Sequence, residues 1–489
     1  MNTTYIEALF GISFILTVVA TPIARWLGLR IGLIDSPDQY RKIHRNAIPL
    51  GGGIAVFVGF VIPIVMAFQI DRIKDALPPE ARDMIVILFV GGSMAMLMGL
   101  ADDMRNLKAR WKIVFQILSA SIAYSGGFRV DAISSPFGTS IELGYASYVV
   151  TVMWFLLCMN ALNLVDGLDG LSAGIGFIVS VTLLGVNLAA ENTFGTLLNA
   201  CLSGALLGFL LFNFNPASIF LGDSGSMFIG FLIAAISLLT KTKTETATAL
   251  LIPLIALGVP IYDMALAIIR RWSARNPISV ADRRHIHHRL LAHGFSQREA
   301  VTVLYGTSVV LCLAAVIVVF TRSQYSALIL VLLALAMVLG TRVLKLVDLT
   351  ELRNRLRQDH EEHMWRKSVT LKVEKVLQQC GSSQTLDELW DTLTVAFESL
   401  ELNKASCHIN LAKIQRSWNW EANRPANQAS PAISHLDTFE LSLMLSLGEE
   451  AAGTLTLRKT SQIQNIKNMT VFGNRIRDAI NRQLPLIDL

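Results

Sequence analysis

The stretch Tyr148-Val-Val-Thr-Val-Met-Trp-Phe-Leu-Leu-Cys-Met-Asn160-Ala-Leu-Asn-Leu-Val-Asp-Gly-Leu-Asp-Gly170 runs an apolar segment straight into amides and carboxylates. At about 1.5 Å per residue such a segment crosses a bilayer core, so its polar end must meet water, a metal or a ligand. If the helix continues through that end, Asn163, Asp166 and Asp169 share a face at i, i+3 and i+6. Gly167 and Gly170 then let a ligand or a neighbouring backbone approach closely. A face of hard oxygens suits Mg²⁺, which shares its shell with substrate phosphates; a polar turn between two spans is the other reading.

The segment is one of eleven. Apolar runs of about 17 to 25 residues begin near residues 5, 50, 84, 110, 145, 167, 196, 219, 247, 301 and 324. The 489-residue chain is 53% hydrophobic and 16% charged, with mean hydropathy +0.50, which excludes an ordinary soluble globule. The expected fold is a polytopic α-helical membrane protein with about eleven transmembrane helices. The first run is longer than a signal-peptide core and is read as a retained helix. Five scattered cysteines form no CxxC pair, so neither a disulfide framework nor a thiolate metal site is indicated. A net charge of +5 is too small to argue for nucleic acid.

The distribution of that charge orients the chain. Arg25, Arg30, Arg41, Lys42 and Arg45 follow the first run, and Arg105, Lys108, Arg110 and Lys112 follow the third. The connection after the ninth holds Arg270, Arg271, Arg275, Arg283, Arg284, Arg289 and Arg298. Arg129 alone follows the fourth. The positive-inside rule then places the N-terminus outside and the ends of odd-numbered spans in the cytoplasm.

Five polar clusters follow odd-numbered spans: Asp35 to Asp38, Asp102-Asp103, Asn163 to Asp169, Asn213 to Asp223, and His285-Ile-His287-His288. Charges near a bilayer cost about 2.5 to 3.5 kcal/mol each on insertion scales unless they face water, a metal or a ligand. Their gathering on one face suggests one cytoplasmic site. Asp102 and Asp103 close the third span beside cations, so one carboxylate can serve metal or phosphate while the other orients Lys or Arg; a solvated helix end is the alternative. Asp223 opens a span among glycines that favour a tight turn presenting N–H groups to an anion, or it is an N-cap. The histidines, among Arg283, Arg284 and Arg289, suit phosphate or sugar hydroxyls; zinc lacks its usual companions here. Asp263 is an intramembrane acid with Arg270 and Arg271 two turns on, read as a structural pairing that holds the histidine loop.

From about Thr341 the character changes. Leu344, Val347, Leu352 and Leu356 recur near helical spacing up to about Cys380. Helices over Thr385 to Leu402 and Thr470 to Gln483, with strands over Ser406 to Ala412, Phe439 to Leu447 and Gly453 to Arg458, follow. Asn419 to Pro431 reads as a loop. The domain division is therefore residues 1–345 in the membrane, 346–380 an amphipathic helical linker, and 381–489 a small C-terminal cytoplasmic α/β domain, GAF-like in element order only.

The motifs in order, Asp35-Ser-Pro-Asp38 with Arg41, Lys42, His44, Pro49 and Gly51-Gly-Gly53, then Asp102-Asp103, Asn160 to Gly170, Phe214 to Gly225 and His285 to His288, resemble the polyprenyl-phosphate N-acetylhexosamine-1-phosphate transferase superfamily over about residues 1 to 340. The His-x-His-His form is similar to the bacterial branch that uses undecaprenyl phosphate and UDP-GlcNAc to start O-antigen, common antigen or teichoic acid linkage. The peptidoglycan branch, which transfers phospho-MurNAc-pentapeptide, usually has three consecutive histidines. The resemblance implies transfer of a HexNAc 1-phosphate, most simply GlcNAc 1-phosphate, to undecaprenyl phosphate at the bacterial plasma membrane, with release of UMP. It implies Mg²⁺, or Mn²⁺, held by Asn163 and Asp223. Asp102, Asp103 and Asp166 become catalytic positions. Lys42, His44, Lys112, Gly167, Leu168, Asp169, Asp263, Arg284, His285, His287 and His288 become substrate positions, with Gly167, Leu168 and Asp169 at the uridine. Partners are UDP-HexNAc, undecaprenyl phosphate and membrane lipid, with a homodimer left open. Asn106 replaces the third acid of the family's Asp-Asp-x-x-Asp, so it is not assigned to metal. A secondary transporter is the rival from another class, but its acids belong near the midplane and in inverted repeats; a receptor leaves five polar loops unexplained.

Overall fold

The computed structural model describes residues 3–35, 47–105, 107–134, 140–239, 247–273, 285–320, 326–343, 370–400, 402–411, 414–422, 438–447, 450–460 and 466–483, besides single positions between 357 and 368. Lys42, His44, Asn106 and Arg284 lie outside the described residues, as does most of the linker expected over 346–380. The chain divides into two units, Met1–Asp348 and Leu349–Leu489.

In the first unit a helix stands at each of the eleven apolar runs. They are α1 (Thr3–Ile31), α2 (Gly52–Ala67), α4 (Ala81–Arg105), α5 (Ala109–Ser125), α6 (Ala146–Val165), α7 (Leu171–Ala189), α8 (Thr193–Asn213), α9 (Gly222–Ser237), the pair α10 (Ala247–Ala256) and α11 (Gly258–Ser273), α13 (Gln297–Phe320) and α14 (Ser326–Val343). Two short helices, α3 (Asp71–Lys74) and α12 (Ile286–Ala292), lie in connections. Among the described residues six helices, α1, α4, α6, α7, α8 and α13, are long and apolar enough to cross a membrane. The ninth run is broken between Ala256 and Gly258, which separates it into α10 and α11.

Helices α8 and α9 form the centre, buried along nearly their whole lengths. Small residues let the others close on them. A Cβ at Gly208 would stand 2.6 Å from the Phe14 carbonyl oxygen of α1, and one at Gly230 would stand 2.6 Å from the Met159 Cα of α6. Outer faces carry exposed apolar side chains such as Val90, Leu97, Met153, Val310 and Leu313, the arrangement of a bundle whose solvent is lipid. Short hairpins, β1 (Ile34–Asp35) with β2 (Ile48–Pro49) and β3 (Ala132–Ser134) with β4 (Ser140–Glu142), join spans.

The second unit has a helix over 370–380 (α15), then α16 (Leu386–Ser399), β5 (Lys404–Leu411), β6 (Ile414–Glu421), β7 (Thr438–Leu447), β8 (Glu450–Thr460) and α17 (Ile466–Gln483). Thr385 caps α16 by accepting the Glu388 N–H, while Glu388 accepts from the Gln384 N–H, close to a capping box. The strands form one antiparallel sheet in the order β6-β5-β8-β7. Alternate residues Ala405, Cys407, Ile409, Leu455 and Leu457 are buried with Phe397 of α16 and Ile476 and Ile480 of α17. Strand β6 was not expected, and its last residues fall where a loop from Asn419 was. Trp418 and Trp420, two apart on one face, pack on α16, Trp418 stacked on Trp390 and Trp420 tilted against Phe397, which is the period-two burial that Asn and Ser on the opposite face obscure.

Candidate functional site

The site grows from the first turn of α9. Gly222 adopts φ +74°, a left-handed conformation that glycine reaches without strain, and turns the chain into the helix. Its first N–H groups point back at α4: Asp103 Oδ1 accepts from the Asp223 N–H at 2.9 Å and Oδ2 from the Ser224 N–H at 3.1 Å. The anion expected at this helix start is therefore the chain's own Asp103, which supplies both acceptors and complements the helix dipole. Asp223 is the second residue of α9 and does not cap it; its side chain is free for other work.

Three segments converge on that side chain. Lys112 Nζ of α5 donates to Asp223 Oδ2 at 3.0 Å and also pairs with Asp102. Asn163 Nδ2 near the end of α6 donates to Asp223 Oδ1 at 2.8 Å and to Ser226 Oγ at 3.0 Å. Asp102, 7% exposed, accepts the Leu107 N–H at 2.6 Å, folding the end of α4 back over the cluster. Asp166 adds a fourth carboxyl. Desolvation, reinforced by the charges of Asp223 and Asp103, holds it well above the usual carboxylate range, against a hydrogen bond from the Gly222 N–H.

Helices α2 and α4 press on α9 at this point. A Cβ on Gly53 would fall 2.6 Å from the Gly225 Cα, and one on Gly99 would fall 2.5 Å from both the Asp223 carbonyl carbon and the Ser224 nitrogen. These contacts fix the height of Asp223. Gly99, Gly53 and Ser226 were not singled out as individual site residues from the sequence; their signal is small residues on helix faces next to a motif.

The shared helical face of Asn163, Asp166 and Asp169 is corrected. Helix α6 ends at Val165, Asp166 follows it, and Gly170, at φ +77°, starts α7. The two glycines that were to admit a ligand lie in the turn between α6 and α7. Asn163 turns to Asp223, whereas Asp169 Oδ2 accepts from Asn215 Nδ2 at 2.9 Å and the Ala217 N–H at 3.0 Å. Asp169 thus ties the 166–170 turn to the α8–α9 connection. Tyr305 of α13 donates to the Gly170 carbonyl at 2.6 Å and secures the other end.

The histidine segment meets the same turn. Asp263 of α11, 1% exposed, accepts the Ile286 N–H at 3.1 Å and lies 3.3 Å from His285 Nδ1, so it holds the start of α12. These are the two contacts between Asp263, expected to hold the histidine loop, and that segment. His285 and His287 stack with centroids 5.7 Å apart, and His287 and His288 lie 4.3 Å apart. A Cβ on Gly167 would be 2.7 Å from His287 Nε2, so the exposed Gly167 and the buried His287 share one contact. Burial, and then the neighbouring His288 and His285, lower the His287 pKa to about 3; the ring is neutral at pH 7.

Among the described residues Asp102 and Asp223 share Lys112, and Asp103 and Asp166 lie close enough to Asp223 to feel its charge. Among the described residues no three acids, histidines or cysteines are arranged as a ready metal site. The donor set fits a Mg²⁺ that takes one or two protein oxygens and completes its shell with water and substrate phosphate, and Asn163 and Asp223 are the pair that would hold it.

The profile of the glycosyl transferase family 4 matches residues 85–241, the span from α4 to beyond α9. The chain is 36% identical over 340 residues to a probable undecaprenyl-phosphate N-acetylglucosaminyl 1-phosphate transferase of Bacillus subtilis, covering 69% of this chain and 92% of that one. It is 35% identical over 321 residues to a decaprenyl-phosphate N-acetylglucosaminephosphotransferase of Mycobacterium tuberculosis, covering 61% and 79%. It is 29% identical over 318 residues to an undecaprenyl-phosphate alpha-N-acetylglucosaminyl 1-phosphate transferase of Yersinia pestis, covering 62% and 82%.

Proposed function

Because this chain belongs to glycosyl transferase family 4, in its polyprenyl-phosphate N-acetylhexosamine-1-phosphate transferase branch, we propose that it transfers N-acetylglucosamine 1-phosphate from UDP-GlcNAc to undecaprenyl phosphate. The observation that carries the chemistry is the meeting of Asp103, Lys112 and Asn163, from three helices, on Asp223 and its first turn.

A phosphate oxygen of the acceptor attacks the β-phosphorus of the donor. The new P–O bond forms as the bond from the β-phosphorus to the bridging oxygen breaks, and UMP departs with the electron pair. A phosphomonoester whose second pKa is about 6 is already a dianion at pH 7, so no strong base is required. Bringing two anions together is the harder task, and it is met by positioning and charge neutralisation. Lys112 supplies positive charge between Asp102 and Asp223. Asp102 and Asp103 organise the acceptor end, Asp103 by fixing the turn that presents Asp223. Mg²⁺ held by Asn163 and Asp223 would neutralise the pyrophosphate. The 166–170 turn, fixed by Asp169, offers the Gly167 and Leu168 backbone to uridine, and neutral His287 with His285 and His288 offers hydrogen bonds to diphosphate or sugar. In this reading the face is cytoplasmic, which the basic connections support, the membrane is a bacterial plasma membrane, and the product starts a lipid-linked surface polysaccharide.

Purified protein given UDP-[³H]GlcNAc and undecaprenyl phosphate is expected to release UMP and label the lipid only when both are present. UMP release without acceptor, or no label in the lipid from a folded preparation, contradicts the reading. UDP-GalNAc and UDP-MurNAc-pentapeptide in the same assay define the donor.

A further inference from the structure

The 166–170 turn, set against uridine in the reading above, is held by a helix that contributes to none of the five polar clusters. Asn215 is the link. Its side-chain nitrogen donates to Asp169 Oδ2 and to Gln297 Oε1, each at 2.9 Å, which uses both of its N–H groups. Its backbone carbonyl accepts from Arg298 Nε at 3.1 Å. Gln297 and Arg298 are the first two residues of α13, and two turns further along Tyr305 donates to the Gly170 carbonyl at 2.6 Å.

The start of α13 is itself fixed. Glu299 accepts from the Ser296 N–H at 2.7 Å and from Ser296 Oγ at 2.8 Å, which closes the first turn in the manner of a capping box. Gly174 of α7 leaves the space that the Tyr305 ring occupies, since a Cβ there would collide with the ring and its hydroxyl. Gly170 is thereby held on both sides, its N–H by Asn213 Oδ1 at 3.1 Å and its carbonyl by Tyr305. At the other end of the turn Gly167 meets His287, and only residues 293–296 separate α12 from α13. One continuous piece of chain, from His285 to Tyr305, therefore grips the turn at both ends. Gly167 has no side chain of its own, so its place is set by what holds its neighbours.

We infer that Gln297, Arg298 and Tyr305 are positioning residues for the donor nucleotide: they fix the 166–170 turn, and through it the affinity for UDP-GlcNAc. The inference rests on the placement of uridine at this turn proposed above. Uridine is remote from the β-phosphorus, so loosening its seat weakens ground state and transition state alike and shows in KM rather than kcat. Helices α4 and α5, which carry Asp102 and Lys112 at the acceptor end, make none of these hydrogen bonds, so KM for the acceptor is independent of them. If α13 serves only to close the bundle, the same substitutions lower the unfolding midpoint and leave both KM values alone.

The test uses the full-length protein with UDP-GlcNAc and undecaprenyl phosphate. Tyr305→Phe keeps the ring beside Gly174 and removes only the hydroxyl, and Gln297→Ala removes the acceptor for Asn215. Each is expected to raise KM for UDP-GlcNAc about fivefold, the size of one lost hydrogen bond, with kcat and KM for undecaprenyl phosphate within about twofold of the parent. The inhibition constant of UMP, which carries the same uridine, should rise by the same factor. A KM for UDP-GlcNAc within about twofold of the parent in either variant, equal rises for the two substrates, or a change confined to kcat or to the unfolding midpoint overturns the inference. If one variant does not accumulate in the membrane, the other decides. Gly167→Ala separates this failure from that of the reading beneath it. A raised KM for UDP-GlcNAc in Gly167→Ala alone means that the turn binds the nucleotide without α13 positioning it. No change in that KM in any of the three variants means that uridine does not bind at the turn, and absence of turnover by the parent refutes the transfer reaction itself.

Discussion

Gly99→Ala is the smallest change that should disable the site without touching a side chain in it. The added Cβ would stand on the Asp223 carbonyl and 2.5 Å from both the Asp223 carbon and the Ser224 nitrogen. Carbon contacts are comfortable at about 3.5 to 4.0 Å, so α4 and α9 must part by about 1 Å. All the atoms met are backbone, and no rotamer can relieve them. The same shift acts on Asp103, which holds the Asp223 and Ser224 N–H groups at 2.9 and 3.1 Å, and on Lys112 at 3.0 Å. At about 4 Å these are no longer hydrogen bonds. Overpacking costs about 1 to 3 kcal/mol in stability, which a bundle this size survives, whereas a 1 Å misplacement of reacting groups costs about 10²-fold in rate. The expectation is a folded, inserted protein whose kcat for UMP release falls about a hundredfold. Gly185→Ala, with nothing within 4 Å of its new Cβ, serves as the control. A Gly99→Ala enzyme with more than half the parental kcat refutes the claim that helix contact sets the position of Asp223.

Gly167→Ala should push on His287 Nε2, 2.7 Å from the new Cβ, and raise KM for the sugar nucleotide about tenfold while KM for the lipid acceptor changes little, read from initial rates. His287 also makes a stability prediction. The unfolded chain protonates near 6.5 and the native ring only near 3, so the unfolded state binds more protons between these values and stability falls as pH drops through that window. At pH 5 the loss is about 2 kcal/mol relative to pH 7, and thermal unfolding of His287→Gln in detergent should show a shallower pH slope than the parent. A chain ended at Asp348, the boundary between the two units, should keep most of the transferase activity in membranes, since the Bacillus relative is 92% covered by 340 aligned residues.

Much of the membrane unit was legible because a bilayer demands unbroken apolar runs, and each of the eleven runs carries a helix. The break at Leu257 was not read, because the apolar run continues across it, although Pro253, Gly258 and Pro260 flank it. Asn163 and Asp223 were paired only through the family resemblance, as ligands of Mg²⁺; their hydrogen bond joins residues 60 apart, which no local pattern announces. Asp169 misled: its spacing from Asn163 fits a helical face, but α6 ends at Val165, and the acid is used to bond Asn215 and Ala217. Asp103 was read as a chemical group when its partners are backbone N–H groups of a helix 120 residues away, a contact that no local pattern announces. Strand β6 was hidden for a similar reason, because the partner that buries Trp418 and Trp420 is α16, earlier in the chain.

The most direct test is Mg²⁺-dependent UMP release by Asp223→Asn and Asp223→Ala, in protein whose membrane insertion and unfolding midpoint match the parent. Both variants should lose about 10³-fold or more in turnover at saturating UDP-GlcNAc and undecaprenyl phosphate, with Asn, which keeps an oxygen but loses the charge, less damaged than Ala. Near-parental Mg²⁺-dependent turnover by Asp223→Ala would contradict the assignment of this cluster as the place where transfer occurs.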